Sequence, residues 1–227
     1  MKPIIFSTPM VKAILEGKKT QTRRMITNAD ILIDINYNYV DVYGLDRHGR
    51  QKDNDMCSFP YTKEQLNKYM IDNFAPYQPG DVLWVREAFD YDGFWGTEPV
   101  LGEIVFFPNG KYLYKADGVK SKTRWRPSIH MPREAARLFL RVKNVRVERV
   151  QDITEEDAKA EGVIPFPYDP EGDCWNDGKY KTAFEYLWNT LHGWNPNAWG
   201  RNDWVWVIEF ERIQESEVEE SEVRNRN

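Results

Sequence analysis

Metal-ligating side chains are scarce in this chain. Only two cysteines occur, Cys57 and Cys174, and they form no CxxC pair. His48, His130 and His192 are scattered, and no HExxH motif is present. Structural zinc centres need closely spaced Cys or His ligands, so no metal site is expected, and no cofactor is expected either. Sparse cysteine fits a reducing cytoplasm, the localisation expected from the sequence. The N-terminal Met1-Lys2-Pro3-Ile4-Ile5-Phe6-Ser7 has no extended apolar core of the signal-peptide kind. No apolar run reaches membrane-spanning length, so no membrane partner is expected. Internal repeats are absent, as is any linker long enough to separate two domains.

What is present is a sequence of 227 residues with a hydrophobic share of 41%, enough for a globular core. Nine tryptophans are read mainly as core filling, with some left over to stack on a planar ligand. The net charge of −5 argues against long duplex DNA as a partner. Its distribution is uneven. Residues 1–24 hold six bases and one acid, residues 120–149 ten bases and two acids, and residues 151–173 eight acids and one base. Such segments either neutralise each other across the fold or leave a basic patch suited to a nucleoside or a short single-stranded RNA.

The densest feature is Gly17-Lys18-Lys19-Thr20-Gln21-Thr22-Arg23-Arg24. A hydroxyl cap and proline at Ser7-Thr8-Pro9 open a short helix, and Gly17 stops it. Residues 20–26 then read as a strand. Lys19, Gln21 and Arg23 fall on one face, with Thr20, Thr22 and Arg24 on the other. The chain must bend if Lys19 is to serve Thr22. Residues 28–78 read as an insertion with two strands, a turn at 46–50 and a helix over 62–74. Residues 82–89 read as a strand in which Arg86 and Glu87, towards its end, face either a rim or a pocket. Residues 90–110 contain Gly, Pro and aromatics with a short strand at 104–107, and residues 112–115 read as another strand. Trp125 and Arg126 lie in a proline-rich irregular segment, where Trp125 can stack and Arg126 can hold an anion. Residues 138–150 form a long strand with a parity change at Lys143-Asn144, the mark of a bulge. The basic residues of that strand are assigned to solvent.

Asp152-Ile153-Thr154-Glu155-Glu156-Asp157 starts a helix capped by Thr154 and closed by Gly162. Acids in its first turn suit the helix dipole, but Glu161 in its last turn does not, which marks it for another role. Residues 181–191 form a helix burying Phe184, Leu187, Trp188 and Leu191. Residues 204–213 form a closing strand, and residues 214–227 an acidic tail expected to be disordered.

Taken in order, the GxKxxTxR stretch, Pro79-Gly80-Asp81 with its strand, the helix ending in Glu161, the tryptophan helix and the last strand resemble the ASCH family. The likeness is greatest to its longer phage and prophage members. The resemblance implies an α+β, PUA-like fold: a small β-barrel with packed helices, elaborated by insertions, in a single domain over 1–213. It also implies a link to RNA or modified nucleosides. The commoner family signature has Glu where this chain has Thr22. A small bacterial enzyme of the family, an acetylcytidine amidohydrolase, has Lys and Thr in this motif and a later Glu. Lys19, Thr22 and Glu161 match those positions, and Arg24 matches the family arginine.

On that basis Thr22 is the expected nucleophile and Lys19 its base, with Glu161 orienting Lys19 or shuttling a proton. Arg23, Arg24, Arg86, Glu87, Trp125 and Arg126 are the expected substrate-binding residues. A non-catalytic RNA- or nucleotide-binding module uses the same residues without bond cleavage. A phage factor acting through protein contacts is the third reading.

Overall fold

The computed structural model describes residues 1–26, 32–36, 39–43, 63–100, 102–167, 177–192 and 198–218. Strand β9 (Trp204–Ile213) is its spine. Trp206, Ile208 and Phe210 enter the larger core cluster, while Val205 and Val207 enter a second one. A strand apolar on both faces needs cover on both.

Five strands share the sheet, in the order β1-β5-β8-β9-β2. Strand β1 (Lys2–Ile5) runs parallel to β5 (Val82–Arg86), and the other neighbours are antiparallel. Strand β8 (Phe139–Arg149) shifts register between Val142 and Asn144, where the bulge is expected. Strand β2 (Gln21–Met25) forms the far edge. The ladders among the described residues form an open sheet rather than a closed barrel. No ladder joins β1 to β2; instead the Arg24 guanidinium donates to the Ile5 carbonyl at 2.6 Å.

Helix α1 (Thr8–Leu15) buries Val11, Ala13 and Ile14. Ser7 is its N-cap, but the hydroxyl makes no capping bond; the Ser7 carbonyl instead accepts from Val11 N–H at 2.9 Å. Within the stretch read as an insertion, β3 (Leu32–Asn36) and β4 (Tyr39–Tyr43) pair antiparallel. Helix α2 (Lys63–Phe74) lies against β8, with Met70 fully buried in the main core. Asn67 Oδ1 accepts from Val147 N–H at 2.8 Å, and Tyr77 donates to the Pro3 carbonyl at 2.7 Å. The expected cap at Thr62 and the turn at 46–50 lie outside the described residues.

Strand β6 (Phe89–Thr97) pairs with a single long strand β7 (Ile104–Tyr114), which absorbs both short strands expected there. Cross-strand rings compensate for the Gly and Pro that argued against a strand: Phe94 stacks on Phe107 at 5.4 Å, and Trp95 meets Phe106 edge-on at 5.5 Å. Gly93 is required by close approach, because a Cβ there would stand 2.2 Å from the Phe107 carbonyl oxygen. The acidic tail also departs from expectation at its start. Val218 is buried with Trp84, Phe139 and Ile213, since an apolar residue there finds an uncovered sheet end. Residues 219–227 lie outside the described residues.

Helices α3 (Glu155–Ala160) and α4 (Tyr180–Leu191) cover the second face of β9 through Ala158, Phe184 and Trp188. Leu191 is half exposed rather than buried, as the helix ends beyond the edge of that cluster. No helix among the described residues is long and apolar enough to cross a membrane.

Helix α2 is therefore part of the core. Met70→Ala is expected to lower unfolding free energy by about 2–5 kcal/mol in a denaturant titration. A change near zero would mean that the 63–74 helix is peripheral.

Candidate functional site

Helix α1 stops at Gly17, whose φ of 71° suits a glycine. Both Lys18 N–H and Lys19 N–H then donate to the Ala13 carbonyl, at 2.8 and 3.0 Å, so the chain turns before Lys19 rather than between Lys19 and Thr22. Thr20 N–H donates to the Ala160 carbonyl at 2.9 Å, tying the bend to the end of α3. Thr154 caps α3 by accepting from Asp157 N–H at 3.1 Å, as expected. Gly162 closes it with φ 78°, and a Cβ there would lie 2.8 Å from the Cβ atoms of both Ala13 and Lys19. The glycine is what lets Glu161 come down onto Lys19.

The Lys19 side chain is wholly buried. Its Nζ donates to the Gln21 carbonyl, the Glu161 carbonyl and Glu161 Oε2, each at 2.8 Å. Three acceptors around one nitrogen match an ammonium, which has three protons to give. Burial pushes the Lys19 pKa below its ordinary value; Glu161 pushes back, and Arg24 and Arg23 add to the lowering.

Glu161 Oε1 accepts from Arg23 at 3.2 Å. Arg23 also reaches Asp157 at 3.0 Å and makes a short contact with Glu148. Arg146 joins the same carboxylates, binding Glu148 and Asp157 at 3.0 Å each, and pairs with Glu209. With its amide nitrogen turned to Asp157, Gln21 donates to Oδ1 at 3.2 Å and accepts from Arg23 at 2.6 Å. Burial works against the Asp157 carboxylate, but Arg23 and Arg146 outweigh it and hold its pKa low.

Thr22 is buried at 2% exposure and lines a cavity of about 150 Å³ with Arg23, Arg24, Glu161, Met10 and Trp188. Thr22 and Glu161 share this cavity, while Lys19 does not line it and reaches it only through its contact with Glu161. Among the described residues, no hydrogen bond joins the Thr22 hydroxyl to Lys19 or Glu161. Arg23 borders the cavity, yet its charge is committed to the ion network rather than left for a substrate. Arg24 donates to Ile5, lies 5.3 Å over the Phe6 ring, and has its pKa lowered chiefly by burial.

Arg86 and Glu87 separate because successive strand residues face opposite ways. Arg86 lines a second cavity with Arg24. Glu87 is corrected from substrate binder to structural partner: it is 1% exposed and accepts two bonds from Arg137, at 2.9 and 3.1 Å. Burial raises its pKa and Arg137 opposes the shift. Trp125 and Arg126 also fall outside the site. Arg126 bridges to Phe89 and sits 4.8 Å over the Tyr91 ring, so this segment braces the β6–β7 hairpin. Neither residue lines the cavity of Thr22.

The sequence reading gives Arg146 to solvent and Asp157 to the helix dipole and assigns Glu148 no role, but α3 covers the polar face of β8 after the bulge. The alternation of Arg146 and Glu148 with Val145 and Val147 was the available signal. His192, four residues beyond Trp188 on one helical face, also borders the cavity, with its ring 4.3 Å from Trp188. Burial lowers its pKa. Among the described residues, no group of three or more His, Cys, Asp or Glu side chains is arranged to hold a metal ion. Compared with protein-family models, curated proteins and solved structures, the chain matches none.

Glu161→Ala leaves two buried cations short of an acceptor. It is expected to cost about 3–5 kcal/mol in equilibrium unfolding. A loss below about 1 kcal/mol, the scale of exposed pairs, would mean that the pair is not buried in solution.

Proposed function

We propose that the chain is an ASCH-type domain with a PUA-like fold that hydrolyses the amide of an N-acylated nucleoside such as acetylcytidine. The observation that carries this reading is the 2.8 Å contact between Lys19 Nζ and Glu161 Oε2, with Glu161 and Thr22 on the wall of one cavity. The five-stranded sheet with helices on its second face fits the α+β class, and its ladders among the described residues stay open between β1 and β2, where a PUA-like barrel would close.

The chemistry follows from the burial of the pair. A proton passing from Lys19 to Glu161 gives a neutral amine and a neutral acid, and the burial of Lys19 lowers the cost of giving that proton up. The amine then takes the Thr22 proton as the Thr22 oxygen attacks the acyl carbon. Glu161 gives its proton to the departing nucleobase nitrogen as the C–N bond breaks. The result is an acyl-threonine, a free nucleoside and the original ion pair. Water repeats the cycle: Lys19 takes its proton, Glu161 protonates the Thr22 oxygen, and the carboxylic acid leaves. The Arg24 guanidinium, on the cavity wall, supplies positive charge for the oxyanion.

A second reading, a nucleotide- or RNA-binding module, is favoured by one observation. All three Lys19 protons are engaged, so its amine must first give one up before it can act as a base.

Purified protein with N4-acetylcytidine, followed by chromatography for cytidine and acetate, separates the two. Hydrolysis is expected, with Thr22→Ala and Lys19→Ala each reducing kcat by about 10²-fold or more. Absence of acetate from acetylcytidine and related N-acyl nucleosides would overturn the hydrolase reading.

A further inference from the structure

We infer that Arg24 and Arg86 form a phosphate subsite beside the Thr22 cavity, so that the ligand is a nucleotide rather than a free nucleoside. The inference rests on the nucleoside reading for the base, but its geometry is separate. Arg24 lines both the Thr22 cavity and a second cavity of about 340 Å³, whose wall also holds Arg86 and Tyr77. One side chain is thus shared by two adjoining spaces.

Charge accounting singles these arginines out. Lys2, Lys19, Arg23, Arg137 and Arg146 each contact a carboxylate. Neither Arg24 nor Arg86 contacts one among the described residues. Arg24 has the Ile5 carbonyl and the Phe6 face. Arg86 has the Ile129 carbonyl and the Trp84 face, at 5.4 Å, and its Nε is buried with no hydrogen-bond partner.

The neighbouring acids are already engaged. Asp81 is held by Lys2 at 2.8 Å and by Gln78 N–H at 2.8 Å. Glu161 acts on Arg24 only through space and is bound by Lys19 and Arg23. Two guanidiniums sharing a cavity without a counter-charge suit a dianion that accepts several N–H bonds, which is what a phosphate monoester offers. Tyr77, whose pKa is raised mainly by burial, stays protonated and so adds no negative charge.

The test is calorimetric titration of the full chain at low salt with cytidine, cytidine 5′-monophosphate and inorganic phosphate. The monophosphate is expected to bind about tenfold or more tightly than cytidine. Arg86→Ala should bring that ratio close to one, and Arg86→Lys should recover part of it by keeping the charge. Equal affinities for the two ligands in the native chain would overturn the inference. So would an unchanged ratio in an Arg86→Ala protein that melts normally. If inorganic phosphate binds in an Arg86-dependent way while cytidine adds nothing to it, the phosphate subsite stands and the nucleoside reading falls.

Discussion

The contact between Lys19 and Glu161 holds the two halves of the site together across 142 residues of sequence. It works because two helix ends meet. Gly17 turns the chain so that Lys19 points inward, and Gly162 removes the Cβ atom that would keep α3 away. The same meeting places Thr22 on the next strand and Arg23 behind the carboxylate. Without the ion pair, the bend and the helix end each lose their main reason to approach.

The pair belongs to a larger set of charges. Lys19, Arg23 and Arg146 face Glu148, Asp157, Glu161 and Glu209 around one side of the sheet. Such a network is weak grounds for stability, because each group was dehydrated to form it and apolar side chains fill such space at similar or lower cost. Its orienting role is easier to see. Arg23 fixes one carboxylate oxygen of Glu161, leaving the other on Lys19. Arg146 and Gln21 in turn fix the acids around Arg23. Arg24 and Arg86 share a separate cavity, and neither contacts a carboxylate among the described residues.

Much of this was legible in the sequence where the signal was local. The Gly17 stop, the Thr154 cap, the β8 bulge and the closing strand at 204–213 each depend on a few neighbouring residues. Glu161 was legible by exception, as a carboxylate where the helix dipole disfavours one. What failed depended on distant partners. Glu87 resembled a pocket residue until Arg137, 50 residues away, was placed beside it. The β6–β7 hairpin was hidden by Gly93 and Pro108, whose cost is offset by rings on the opposite strand. Arg146 looked solvent-facing because nothing in β8 reports that α3 lies over it.

The central claim is that Lys19 is a buried base whose proton is balanced between desolvation and Glu161. Its direct measurement is a side-chain NMR titration of Lys19 in the native chain and in Glu161→Gln. The account predicts that Lys19 titrates below the ordinary lysine value of 10.5, and lower still without the carboxylate that raises it. A native value at or above 10.5, or an upward move in Glu161→Gln, would contradict it.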